Sequence, residues 1–577
     1  MKRLIVLLVV LSVLATPLTV LAQEPGSGGP IIEGNGGTSV GSLNDIRCAG
    51  TDCRNVTRWL YPGLIGTDPE LASVAPGKRD GILATDWTVS DDGTVYTFTL
   101  RDDMVWTDGE PITGWDFQFT AYGHMAADLT ESAYAYVVAD ISDIAVSDDG
   151  YTLTVTFETA SCQNLNNIGG FLIMPSHAFG WEPGMGQDFD WASLVDHEFD
   201  TAPAVAGGIF KFQSMDSERV VLTTNETWAD GPVIPEGYLY VTVPDQTVLA
   251  ERFIAGELNV ADNPQNAKRP EIRANADLQS YDYPGNSWDY LALNLANPDN
   301  PQDGVELDAD GNVVYDENDL PVIAPPQDPN PLFADVRVRR AIQMAINMDE
   351  IMEKAVLGEG TVMAANELPT SWALNPNLPP IVYDPEGAKA LLAEAGWTPG
   401  DDGILVNADG LRFSFELLTN EGNTRRGQIG ELVQQQLAQI GIEVDFVAID
   451  FNQLLDIMDA QSYDAYILGW RNSYPVDPDQ TGIFTSDADV VGSGFNNMSY
   501  INPEIDKLMK EAMNVPGCAA EDRAPIYWKI QEILQRDQAY IWLFAQGGFY
   551  AANKSVEGFG PYPNEMYWNA DTWRITQ

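Results

Sequence analysis

Tyr463-Asp-Ala-Tyr-Ile-Leu-Gly-Trp470, followed by Arg471-Asn-Ser-Tyr-Pro-Val-Asp-Pro-Asp479, joins two kinds of sequence. The first half is a nearly continuous apolar run, too short for a helix, and reads as a buried strand. The second half carries Pro475, Pro478, Asp477 and Asp479 and reads as a loop. In open α/β sheets, ligands collect where strands end at their carboxyl sides. A tryptophan on such a rim, followed by polar residues, suits ligand capture, although Trp470 also suits a strand end packed in the core.

The sequence around this stretch repeats the α/β pattern. Phe413–Leu418 reads as a strand, Thr424–Ile440 as a helix and Glu443–Val447 as a strand, with Asp450 capping another helix. Alternation of this kind implies a parallel or mixed sheet. Further helices start at Asp335, which caps a run to about Leu357, and at Asp384-Pro385, whose helix Gly396 ends. Asn502-Pro503 and Arg523–Asp537 read as later helices, and Ala539–Phe544 as a last strand.

Towards the N-terminus the pattern is β-rich. Trp87–Leu100 is a hairpin about Asp-Asp-Gly, and Ile144–Phe157 nearly copies it, sharing Val-Ser-Asp-Asp-Gly. Between them, Thr113 and Asp116 form a capping box that opens a helix to about Met125. A β region spans Gly207–Thr224, a short helix Pro244–Gly256 and a strand Tyr290–Leu295. Asn297–Pro331 is an acidic, proline-rich insertion, too long for an ordinary loop.

Composition narrows the function. With 85 acidic and 30 basic residues the formal charge is −55, which argues against nucleic acid and anionic membrane surfaces. Lys2-Arg3, the apolar Leu4–Leu14 and the small residue Ala22 read as an export leader, residues 1–22, with cleavage after Ala22. No cysteine follows that run, so no lipid anchor is visible. Cys48 and Cys53 are predicted to pair, from their spacing and the exported address; Cys162 and Cys518 are left over.

Catalytic and metal patterns are weak. Gly37-Thr-Ser39-Val-Gly41 matches GxSxG, but a nucleophile elbow needs a strand before the serine and a helix after it. His124, His177 and His197 lack metalloprotease spacing. Asp308, Asp310, Asn312 and Asp316 alternate like a calcium loop, yet Val313 replaces its glycine. No cofactor or metal is expected.

Several ordered motifs together resemble family 5 extracellular solute-binding proteins, the oligopeptide- and dipeptide-binding components of ABC importers. They are Leu83-Ala-Thr-Asp-Trp87, Tyr96-Thr-Phe-Thr-Leu-Arg101, Trp106–Thr113, Phe333–Ile342, Tyr383–Leu392, Glu394-Ala-Gly-Trp397, Gly469-Trp470 and Asn502–Asp506. The resemblance implies an α/β, two-lobed periplasmic-binding-protein fold, type II-like with a hinge between lobes, carrying an extra α+β subdomain. The first lobe is expected at 23–75, 195–280 and 515–577, the subdomain at 76–194, and the second lobe at 281–514 with its insertion at 297–331. Ligand is expected between the lobes, and the partners are a peptide or other small solute and the membrane permease subunits. The receptor is expected to be a monomer and not an enzyme.

Carried over from the family, Ala49, Gly50 and Thr51, after the Leu43-Asn44 motif, are expected to line the cleft. Tyr134 is expected from the subdomain, and Trp470, Ser473, Tyr474 and Asp477 from the second lobe. In peptide-binding relatives the third residue after this tryptophan is an aspartate that pairs with the ligand's ammonium; here it is Ser473, which cannot supply a charge. Either Asp477 or Asp479 replaces it, or the ligand lacks a free amine, as an oligosaccharide does. A secreted hydrolase is the rival outside the receptor class.

Overall fold

The computed structural model describes residues 28–576 apart from 37–38, 49–50, 69–72, 76–81, 127–134, 303, 306–322, 325–326, 473–476 and 493. The export leader, the calcium-like stretch from Asp308 to Asp316, Tyr134, Ala49, Gly50, Ser473 and Tyr474 lie outside the described residues.

Two long strands organise everything else. Leu278–Leu293 and Ile541–Asn553 pair antiparallel along nearly their whole length and lie at the centre of one continuous sheet. On one side follow Ala465–Arg471, Ser414–Asn420 and Glu443–Ile449; on the other follow Val260–Asp262, Pro30–Asn35, Gly237–Thr242, Arg219–Thr224 and Phe210–Met215. Gly360–Val362 pairs beside the second long strand. The sequence alone shows only the apolar, inner halves of the two strands, Tyr290–Leu295 and Ala539–Phe544. Their outer halves carry prolines, glycines and tyrosines that blur any alternation.

The two halves of each long strand belong to different cores. Leu291 and Leu293, with Ile541 and Leu543, pack with Phe415, Leu417, Ile429 and Ile467 on one face of the second-lobe sheet. Trp288, Tyr290, Trp542 and Tyr540 pack on its other face. Tyr283 and Tyr550, further along the same strands, join the first-lobe core with Ile31, Tyr238 and Tyr240. The ladder slips between Pro284 and Trp288, and the slip marks the passage from one lobe to the other. Backbones approach closely there: a Cβ on Gly285 falls 2.6 Å from the Gln546 carbonyl, and one on Gly548 falls 2.2 Å from the Tyr283 ring.

The duplicated hairpins form one four-stranded antiparallel sheet, with Val95–Leu100 and Thr152–Phe157 paired at its centre. Gly114–Met125 packs against it, opened by the capping box: Trp115 N–H donates to Thr113 Oγ1 at 3.3 Å, and Thr113 N–H donates to the Asp116 carboxylate at 2.9 Å.

Local differences from the sequence reading have local causes. Thr51–Leu60 is a helix for which the sequence reading assigned no element. The run from Asp335 is two helices, Val336–Ala345 and Met348–Lys354, because Asn347 caps the second by accepting from Glu350 N–H. Ala520–Asp537 lies within the span assigned to the first lobe at 515–577, yet its Tyr527, Ile530, Ile533 and Leu534 are buried in the second-lobe core. The chain returns to the first lobe only along Ile541–Asn553.

Candidate functional site

Arg471 and Asn472 end the strand Ala465–Arg471 at the passage between the lobes. Asn472 is held there from three directions. Its N–H donates to Asn286 O at 2.9 Å, its O accepts from Asn286 Nδ2 at 2.7 Å, and its Oδ1 accepts from Trp288 Nε1 at 3.1 Å. Asn286 lies within the slipped register of the first long strand and Trp288 closes it, so Asn472 is anchored at the passage between the lobes.

Under this strand end lies a fully buried aspartate, Asp289, facing Gly469 across the ladder. Arg425 and Arg426 reach it at 3.0 and 3.5 Å, and Gln546 Nε2 donates to it at 3.0 Å. The arginines sit in the first turn of Thr424–Ala438, where the helix dipole opposes a positive charge; the carboxylate offsets this. Gly469 is a glycine because a Cβ there falls 2.4 Å from Asp289 Oδ1 and 2.7 Å from the Trp288 carbonyl.

Trp470 is half-buried. Its ring stacks on Tyr290 at 6.0 Å and 15°, Tyr290 stacks on Tyr540 at 4.1 Å, and Trp470 Nε1 donates to Tyr540 Oη at 3.4 Å. Phe495, 56% exposed, meets Trp470 edge-on at 5.7 Å. The stack fixes the tryptophan, and together with Phe495 it forms an aromatic ledge that reaches solvent.

The first lobe contributes polar groups opposite. Arg58 lies 4.5 Å over the Tyr567 ring and 3.6 Å from Glu33, whose carboxylate also accepts from Tyr238 Oη at 2.5 Å. Asp262, at the end of Val260–Asp262, is open to solvent but crowded by both lobes. Desolvation raises its carboxyl above the ordinary range, and Arg471 of the second lobe and Arg58 of the first oppose that rise. Across the seam, Gln265 Nε2 donates to Thr424 Oγ1 at 2.9 Å, and Arg269 and Arg273 meet Glu359 at 3.1 and 2.8 Å.

Asp477 is not an open carboxylate. It receives Arg523 through both guanidinium nitrogens, at 3.1 and 3.3 Å, and Asp479 N–H at 2.9 Å. Asp479 accepts from Thr481 N–H at 3.0 Å and Thr481 Oγ1 at 2.5 Å. Thr51 opens its helix, and Cys53 in the first turn of that helix is joined to Cys48 before it. A second bridge joins Cys162 to Cys518. Ser39 is exposed, and the first described element after it is the single turn Asp45–Arg47 rather than a helix that starts at the serine. Among the described residues no group of three or more His, Cys, Asp or Glu side chains is arranged to hold a metal, and no helix is long and apolar enough to cross a membrane.

Sequence reasoning missed Asp289 and its two arginines. The Arg425-Arg426 pair at a helix start was the available signal, since it demands a buried counter-charge.

Compared with known proteins, the chain is 27% identical over 567 residues to the oligopeptide-binding protein AppA of Bacillus subtilis, covering 96% of this chain and 93% of the relative. It is 24% identical over 528 residues to the dipeptide-binding protein of Escherichia coli, covering 87% and 86%. The solved structure of Bacillus subtilis AppA, in complex with a nonapeptide, superposes with a TM-score of 0.77 at 25% identity, covering 96% of this chain and all of that one. NikZ from Campylobacter jejuni, in complex with Ni(L-His), shares the fold with a TM-score of 0.75 at 20% identity, covering 94% and 99%. The model of the middle region of bacterial extracellular solute-binding proteins, family 5, matches residues 80–491. With most of its length matched, this chain belongs to the family 5 extracellular solute-binding proteins.

Proposed function

We propose that this protein is the exported receptor of an ABC importer, binding peptides between its lobes and delivering them to the permease. The observation that carries the reading is the full-length likeness to an oligopeptide-binding protein whose structure holds a nonapeptide. The geometry agrees with it: a ledge of Trp470 and Phe495, Asn472 held at the hinge, and opposed polar groups from the first lobe form a seam that a hinge motion can close on a ligand. The site includes Trp470 and, by resemblance, Ala49, Gly50, Thr51, Tyr134, Ser473 and Tyr474. The receptor acts as a monomer, after removal of residues 1–22, and carries out no chemistry on its ligand.

The test is calorimetry on protein freed of copurified ligand, with peptides of graded length and with oligosaccharides, alongside mass spectrometry of what copurifies. Saturable peptide binding with intact peptide recovered supports the proposal. Binding of oligosaccharide alone, or hydrolysis of peptide, overturns it.

A further inference from the structure

The two long strands are not the only chain at the passage between the lobes. Residues 356–360 reach it from the second lobe, with Ile351 and Val356 buried in that lobe's core and Gly360–Val362 then paired to Ile541–Asn553. The first lobe meets this segment with one continuous stretch, residues 265–273. Its short helix, Arg269–Ala274, is fixed to the first lobe by Ile272, which is buried with Phe253, Leu258 and Leu278.

The contacts differ in strength along the stretch. Gln265 Nε2 donates to Thr424 Oγ1 in a single exposed bond, and Asn266 Nδ2 donates to Val356 O at 3.1 Å. The Glu359 carboxylate accepts from Arg269 at 3.1 Å and from two nitrogens of Arg273 at 2.8 and 3.0 Å, with the side chains of Arg269 and Glu359 only 4% and 15% exposed. The same three residues hold the long strands. Arg269 Nη1 donates to Gly547 O at 3.0 Å, Gly547 N–H donates to Glu359 O at 2.8 Å, and Arg273 Nη2 donates to Asp282 at 2.5 Å. Gly547 pairs with Pro284, the last residue before the ladder slips. The chains touch there: a Cβ on Gly547 falls 3.1 Å from Glu359 O, and one on Gly360 falls 2.6 Å from the Ala545 carbonyl.

A rotation moves atoms in proportion to their distance from its axis, so bonds at the axis survive it. The Glu359 cluster binds both long strands beside the slip, and breaking it leaves buried charges unpaired. We infer that the Arg269–Glu359–Arg273 cluster is the pivot of the lobe motion, a third strut of the hinge that stays made whether the cleft is open or closed. It keeps the lobes from splaying about the two strands alone. The Gln265–Thr424 bond, which holds neither strand, is the contact that parts. Burial raises the Glu359 carboxyl, but Arg273 and Arg269 outweigh it and hold it below the ordinary range, so the cluster is charged at neutral pH. The inference concerns the motion and holds for any ligand.

The test uses the full mature chain, ligand-free and loaded with a degenerate peptide pool. Amide exchange at Gly547 reports the strut, and small-angle scattering reports opening. In wild type the scattering is expected to widen without peptide while Gly547 exchange stays within about twofold. Glu359→Gln is expected to speed Gly547 exchange by about tenfold and to widen the ligand-free scattering beyond wild type. Arg273→Met leaves the buried Arg269–Glu359 pair in place; it is expected to do both more weakly, and it carries the test where Glu359→Gln fails to fold. Gln265→Ala is expected to leave Gly547 exchange unchanged. Wild-type Gly547 exchange that rises about tenfold on removal of peptide overturns the pivot and makes the cluster a latch that opening breaks. Ligand-free scattering of the Glu359 and Arg273 variants identical to wild type overturns it as well. Where no peptide of the pool binds, the receptor reading fails, and the ligand-free comparison of these variants with wild type still decides the pivot.

Discussion

The Arg523 guanidinium meets both carboxylate oxygens of Asp477, at 3.1 and 3.3 Å, with side chains only 5% and 9% exposed. The guanidinium also lies 5.2 Å over the Trp372 ring. The pair joins the start of Ala520–Asp537 to the segment that follows the cleft loop, so Asp477 acts first as a fastener.

Removing one partner of a buried ion pair leaves the other charge uncompensated. Asp477→Ala is therefore expected to destabilise the second lobe by about 3–5 kcal/mol. The double variant Asp477→Ala/Arg523→Met is expected to cost clearly less than the sum of the single changes. Urea unfolding of the four proteins checks both. Additive losses count against the fastener.

Gly469→Ala is a smaller change with a predictable direction. The added methyl meets a carboxylate oxygen at 2.4 Å and a backbone carbonyl at 2.7 Å, neither of which is the free end of a flexible chain. Overpacking of this kind costs about 1–3 kcal/mol. The strand end must shift and carry Trp470 with it, so the tryptophan emission of the ligand-free protein changes as well. An unchanged midpoint and spectrum would show that the Asp289–Arg426 pair can retreat.

These two sites show what a sequence can and cannot display. The capping box at Thr113 and the helix caps at Asp384, Asp450 and Asn502 were legible because a cap is decided by residues a few positions apart. The hairpin duplication was legible for the same reason, and the family motifs gave the two lobes. Asp289 was not legible, because its partners Arg425, Arg426 and Gln546 are remote in the chain and only the sheet brings them together. The pairing of Asp477 was hidden similarly: nothing near it in sequence shows that Arg523 meets its carboxylate.

The Cys162–Cys518 bridge links residues 356 apart. Cys162 lies between Phe157 and Ile168 of the first-lobe and subdomain core, and Cys518 lies between two helices of the second-lobe core. The bond thus spans both bodies away from the crossing strands and limits how far they part. Replacing both cysteines with serine is expected to lower stability by about 2–5 kcal/mol, more than the same change at the short Cys48–Cys53 loop. It is also expected to widen the ligand-free protein in small-angle scattering and to speed peptide dissociation. Equal scattering profiles for wild type and variant would remove the tether from the account of closure.

The last prediction concerns pH in the absence of ligand. Burial raises the Glu367 carboxyl from 4.5 to about 8, so between those values the native state holds a proton that the unfolded chain has released. Stability from this group is full below pH 4.5 and falls as pH rises towards 8. His124 acts in the opposite direction: burial lowers it from 6.5 to about 4, so the unfolded chain binds the extra proton and stability falls as pH drops through that window. The wild type is thus expected to weaken on both sides of an intermediate pH. Glu367→Gln cannot release a proton and should remove only the alkaline limb, gaining on the order of a few kcal/mol over wild type between pH 5 and pH 8. His124→Gln should flatten only the acid limb. Urea midpoints of the ligand-free proteins at pH 4, 5, 6.5 and 8 check both. Parallel pH curves for wild type and Glu367→Gln would mean that Glu367 is already ionised in the folded protein.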